Sequence, residues 1–151
     1  MNRKIKILFL LLCVVLLLLT GCDKKEKAFA FDKTKPSVHV MVKGPDSETI
    51  LDTTVGIDQN CSVFDATKFA CRLQKKVIET KGSGSMVYVS GIAGIMEYDY
   101  GGQSGWLYCV NNDFATAKTS SGAFLLKDQD KITWYYTKNM GLGVGAKAVE
   151  K

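Results

Sequence analysis

Three sets of side chains in this sequence could carry chemistry: the cysteines, a single histidine among scattered carboxylates, and a run of tyrosines and tryptophans. Cys22 closes Leu19-Thr20-Gly21-Cys22, a thiol that can take a covalent group, behind two small residues that leave the preceding bond open to a peptidase. His39 alternates outward from an apolar run and has no cysteine or carboxylate partner at motif spacing, so an ordinary surface histidine is the expected reading rather than a metal ligand. Asp128 and Asp130 flank a turn and read as turn chemistry more than as an acid and base pair. Gly82-Ser83-Gly84 lacks the strand-to-helix context of a phosphate loop or a nucleophile elbow. No catalytic residue is assigned, and the chain is expected not to be an enzyme.

Cys22 gains meaning from what precedes it. Arg3, Lys4 and Lys6 are followed by thirteen apolar residues, Ile7 to Leu19, which is short of the ~20 residues that span a bilayer as a helix. The segment ends in a motif that resembles the lipobox of bacterial lipoprotein signals. That resemblance implies a signal peptide over 1–21, lipidation of Cys22, and a mature protein anchored on the extracytoplasmic face of the cell membrane. Two acyl chains at ~0.8 kcal/mol per buried methylene anchor stably where one is marginal. Loss of residues 1–21 lowers the net charge from +5 to +2. No concentrated basic stripe then remains beyond Lys24, Lys25 and Lys27, so nucleic acid is not an expected partner. Residues 22–35, lysine-rich and otherwise polar or small, read as the lipidated cysteine and a tether.

Three further cysteines fall in the exported part: Cys61, Cys71 and Cys109. At least one must stay unpaired within the chain. Ten residues of helix would hold Cys61 and Cys71 too far apart for a disulfide, which leaves only a bond to Cys109, and the spacing is not that of a zinc site. Buried free thiols are the expected state.

The elements that must position these groups follow from periodicity. Val38, Val40 and Val42 alternate with His39, Met41 and Lys43 as a half-buried strand, and Gly44 to Ser47 turns into a second strand over 48–55. Asn60 to Ser62 followed by Asp65 starts a helix expected to run to about Thr80, with Val63, Ala66, Ala70, Leu73 and Val77 as its apolar stripe. Met86 to Ser90 reads as a third strand, residues 91–105 as a loop, and Trp106 to Val110 as a fourth strand closed by the turn Asn111-Asn112. Lys131 to Thr137 is the last strand, after the polar turn 127–130, and the chain from Gly141 to Lys151 reads as a flexible tail. One α+β domain over 36–140 results, a β-grasp-like mixed sheet with one crossing helix, preceded by the signal peptide.

Two stretches are family-specific. Tyr98 to Asn112 (YDYGGQSGWLYCVNN), followed by Leu126 to Thr137 (LKDQDKITWYYT), resembles the bacterial domain of unknown function DUF4430, and Ser62 to Ala66 extends the match over roughly residues 55–140. That family is similar to the C-terminal β-domain of transcobalamin and intrinsic factor. Asn112 stands where the turn usually has glycine, and Gln129 where an Asp-Gly-Asp turn is usual.

The resemblance implies a β-grasp that binds a soluble ligand, with a corrinoid such as cobalamin as the ligand of the animal relatives, whose site is completed by a helical barrel domain. The residues set against a ligand are then Tyr98, Tyr100, Gly102, Ser104, Trp106, Tyr108, Asn111, Trp134 and Tyr136. Physically, the loop from Glu97 to Ser104 supplies hydroxyls, carboxylates and flexible glycines. Trp106, Tyr108, Trp134 and Tyr136 at strand period read as sheet core more readily than as a binding platform. Two functions stay open: a membrane-anchored protein capturing a small molecule for uptake or hand-over, with a transporter or barrel-domain partner, or a module docking another surface protein.

Overall fold

The computed structural model describes residues 35–146; the expected signal peptide, Cys22, most of the expected tether and the last five residues lie outside the described part. Among the described residues the domain is mixed α+β, with two sheets and one α-helix. β1 (Ser37–Lys43) and β2 (Thr49–Gly56) form an antiparallel hairpin. β7 (Lys131–Thr137) lies parallel to β1 on its other side, with Val40 beside Ile132, and antiparallel to β6 (Gly105–Val110). The order is β2-β1-β7-β6. A smaller sheet, β3-β4-β5, comprises Ile78–Lys81, Tyr88–Ile92 and Ile95–Met96.

The period of two in β1 and β7 decides which side chains meet the helix. Val38, Val40, Val42, Ile132, Trp134 and Tyr136 all point inward and are buried. Against them packs α1 (Val63–Leu73) through Val63, Ala66, Thr67, Ala70 and Cys71, small side chains that let the helix lie close over Trp134. Its start is a capping box: Ser62 Oγ accepts from Asp65 N at 3.1 Å, and the Asp65 carboxylate accepts from Ser62 N at 3.2 Å.

The helix is shorter than its apolar spacing predicts. Lys75 takes φ 52°, its N–H bonds to Arg72 O, and the Lys76 N–H reaches back to Cys71 O at 2.8 Å, which closes α1 with a Schellman motif. Residues 78–81 then pair with β4 instead of continuing the helix. Leu73 and Val77, expected in the buried stripe, are 44% and 63% exposed.

Other bounds also move. Gly84–Met86 is a 3₁₀ turn, so the third strand of the sequence reading begins at Tyr88, although Val87 and Val89 point inward as their alternation requires. The expected loop over 91–105 contains a two-residue hairpin: Ala93 (φ 55°) and Gly94 (φ 83°) turn β4 into β5. Phe114–Lys118 and Leu142–Val144 are 3₁₀ turns, the second within the segment read as a tail. Asn112 (φ 63°) and Gln129 (φ 66°), the two departures from the family's usual turns, both sit in left-handed backbone where glycine is the unstrained choice.

Among the described residues no helix is long and apolar enough to cross a membrane.

Candidate functional site

The aromatic residues of β6 and β7 spend their polar atoms inside the domain. Trp134 Nε1 donates to Thr67 Oγ1 at 2.8 Å, and that hydroxyl donates to Val63 O one helical turn back at 2.7 Å. Trp106 Nε1 donates to Ile95 O at 2.8 Å, which ties β6 to the small sheet. The Tyr108 hydroxyl lies 2.7 and 2.6 Å from the carbonyl oxygens of Thr116 and Thr119 and holds the 3₁₀ turn over the end of β6; burial pushes its pKa up to about 12. Tyr136 sets its hydroxyl between Met96 O at 2.8 Å and Ser104 Oγ at 3.0 Å. The rings meet edge to face or tilted, Trp106 with Tyr136 at 5.2 Å and Tyr108 with Trp134 at 5.4 Å. All four are 7% exposed or less. They are core, and they offer no face to a ligand.

Their work is to hold the loop between β5 and β6. Ser104, 3% exposed, is its pin: Oγ donates to Gly101 O at 2.8 Å, accepts from Tyr100 N at 3.1 Å and faces the Tyr136 hydroxyl. Tyr98 N donates to Ser104 O at 3.0 Å and Gly101 N to Tyr98 O at 3.1 Å, while the Asp99 carboxylate accepts from Met96 N at 2.8 Å. A backbone so bonded carries Tyr98 at φ 71°, which a bulky side chain avoids unless its surroundings hold it there. The rings of Tyr98 and Tyr100 are turned outward, 61% and 51% exposed. At Gly102 a Cβ would meet nothing within 4 Å, so its place is open to solvent.

Charges flank the two rings. Lys138 Nζ lies 5.0 Å from the Tyr100 ring centroid, within cation–π range, and pairs with Asp46 at 2.9 Å. On the other side the Glu97 carboxylate takes hydrogen bonds from Lys81 Nζ and from the Tyr88 hydroxyl, the latter at 2.7 Å. These bonds, Lys81's first, lower the Glu97 pKa, while burial and the same carboxylate raise that of Tyr88. Glu97 is an anion that its neighbours already satisfy.

Beside this loop runs an open groove of about 1430 Å³ over the outer side of β6, lined by Leu107, Phe114, Met140, Leu142 and Ala146, with Gln103 at its edge. Met140 N donates to Gln103 O at 3.0 Å, so the chain after β7 is tied to the tyrosine loop. Loop and groove share Gln103. Tyr98 and Tyr100 are legible in the sequence, but Lys81, Tyr88, Lys138 and the groove are not, because strand pairing and a 3₁₀ turn assemble them from five segments. Tyr88 alone carried a signal, as the outward member of an alternating strand.

Asn111 is a turn residue: its side chain bonds Asp130 and accepts from Lys131 N. His39 pairs with Asp52 across the β1–β2 hairpin at 2.7 Å. Cys61, Cys71 and Cys109 are free thiols, and burial raises the pKa of each, Cys61 and Cys71 to about 11. Among the described residues no three His, Cys, Asp or Glu side chains gather as a metal site.

A family model described as a domain of unknown function, DUF4430, matches residues 61–138. No curated protein matches the chain. A solved structure from Ruminococcus gnavus, described as a "putative metal binding protein", aligns with 11% identity and a TM-score of 0.49 over 68% of this chain and 97% of its own.

Proposed function

This chain belongs to the DUF4430 family, and on that premise we propose that it is a lipid-anchored, extracytoplasmic protein that captures a small molecule on the Tyr98–Gln103 loop and the groove beside it. Tyr98 carries the reading: a tyrosine held in left-handed backbone, 61% exposed, on a loop bonded from beneath by Ser104 and Tyr136. Strain maintained by so many hydrogen bonds, with the ring turned outward, fits a pre-shaped contact surface better than a connection between strands. Two exposed rings suit a flat or extended ligand, and the groove, which mixes apolar side chains with Asn112, Asp113, Lys118 and Asn139, adds area at one side.

The domain is a β-grasp in this reading, supported by the parallel central pair β1 and β7 beneath a single packed helix. Corrinoids are the ligand class to test first, because the family's likeness to the transcobalamin C-terminal domain suggests them. A surface open on one side covers part of such a ligand, so a second protein would complete the site. Chemistry on the ligand is not proposed.

Calorimetric titration of residues 23–151 with cobalamin and cobinamide tests the ligand class, and heat from neither discards corrinoids. A fragment screen by NMR tests the surface. Hits should shift the amides of 98–103, and hits clustering elsewhere would discard the loop. Anchoring is tested separately by the mass of the mature N-terminus, where an unmodified Cys22 would refute it.

A further inference from the structure

The charges of the described domain balance, eleven Lys and Arg against eleven Asp and Glu, yet they are not evenly spread. Between Asp65 and Glu79 lie Lys68, Arg72, Lys75 and Lys76 without one carboxylate. All four are exposed. Lys68 and Arg72 stand one turn apart on the open side of α1, and Lys75 and Lys76 follow at its Schellman end, where the helix dipole also favours cations.

The same end exposes two aliphatic side chains that sequence periodicity assigns to the core, Leu73 at 44% and Val77 at 63%. Val77 is fixed in place, its carbonyl oxygen accepting from Ala93 N at 2.8 Å. Solvent-facing leucine and valine on the same exposed segment as Arg72, Lys75 and Lys76 match the composition of a surface that meets anionic headgroups with charge and the acyl boundary with apolar tips.

We infer that the carboxyl end of α1, Arg72 to Val77, is a membrane-contacting patch for anionic phospholipid. The inference rests on the lipid-anchored reading for the nearness of a bilayer. Twelve residues separate Cys22 from Lys35, a reach of up to ~40 Å when extended. A leash of that reach does not by itself fix which end of the domain faces the bilayer, and the patch adds a second, reversible contact that sets the orientation.

Vesicle sedimentation of residues 23–151, which lack the lipidated cysteine but hold every described element and the whole core, tests the patch apart from the anchor. Vesicles of equal phosphatidylglycerol and phosphatidylcholine should retain the protein, and pure phosphatidylcholine should not. With each cation near the surface contributing about fivefold, Lys75→Asn with Lys76→Gln should weaken retention about 30-fold. Asparagine suits the positive φ at 75, so the fold should hold. Leu73→Ser with Val77→Ser should weaken it further while leaving the salt dependence unchanged. Lys127→Gln with Lys131→Gln, two exposed cations elsewhere, should alter it less than twofold. Equal retention by neutral vesicles, or full retention of the Lys75/Lys76 variant, would overturn the inference. So would binding to poly-glutamate that matches the vesicles and ignores Leu73 and Val77, which would assign the patch to an acidic protein. An unmodified Cys22 with intact vesicle binding would strike the anchor alone.

Discussion

Two groups of aromatic residues meet where the Tyr100 ring lies edge to face with that of Tyr136 at 5.4 Å, and they do opposite things. Trp106, Tyr108, Trp134 and Tyr136 are buried with each polar atom bonded inside the domain, whereas Tyr98 and Tyr100 stand in solvent on a loop that the first group holds in shape. Residue type does not separate them, since both contain tyrosine. Closure of the hydrogen bonds does: a buried polar atom is stable only with a partner, and the partners here lie on α1, β5, the β5–β6 loop and a 3₁₀ turn, segments that these bonds fix against the core. The core tyrosines are the loop's foundation.

The comparison breaks most severely at Trp134. Trp134→Ala should cost about 4 kcal/mol, from the lost ring and the cavity left between α1 and β7, read as a fall in the urea midpoint. A loss below about 1 kcal/mol would mean that the inner face is not the core described. Tyr136→Phe is subtler, keeping the ring and removing one donor from Met96 O and Ser104 Oγ. About 1 kcal/mol should go, and hydrogen exchange should quicken at Tyr100 N before the strands loosen.

Tyr98→Gly sharpens the contrast because its two effects should have opposite signs. Glycine accepts φ 71° freely and relieves up to about 1 kcal/mol of strain, so thermal stability should hold or rise while affinity for any ligand of the loop falls tenfold or more. A stability loss would show the ring to be structural. Acid gives the smallest effect. Glu97 has a lowered pKa in the folded chain, through its bonds to Lys81 and Tyr88, so the stability it supplies is present above its unfolded value near 4.5 and fades as pH falls through the lower folded value. Glu97→Gln should flatten the urea midpoint across that range, and an unchanged slope would remove Glu97 from the loop's support.

The strands were legible because burial on one face writes a period of two into Val38–Val42 and Ile132–Tyr136, and the capping box at Ser62 and Asp65 announced the start of α1. Where α1 ends was not legible. Leu73 and Val77 continue a helical spacing, and what stops the helix is Lys75 in left-handed backbone, a conformation that glycine advertises and lysine conceals. The hairpin at Ala93-Gly94 hid for a related reason, since alanine is an unusual residue at positive φ. Of the candidate site, the tyrosines of the loop could be read, but not which aromatics would be closed off by bonds to Thr67, Thr116 and Ile95. Those partners lie on three other segments, and periodicity speaks only of faces.

The place of β7 in the sheet sets a schedule. It is the last strand among the described residues, yet it enters between β1 and β6, so the facing edges of both wait on one late segment. A chain emerging from its amino end can form the β1–β2 hairpin and α1 early, but β1 keeps one edge bare until residues 131–137 arrive. Truncation before Lys131 would thus leave a hairpin with an open side instead of a smaller working domain. Assembly waits for β7, and during that interval the bare edge of β1 is the part most in need of protection from other chains.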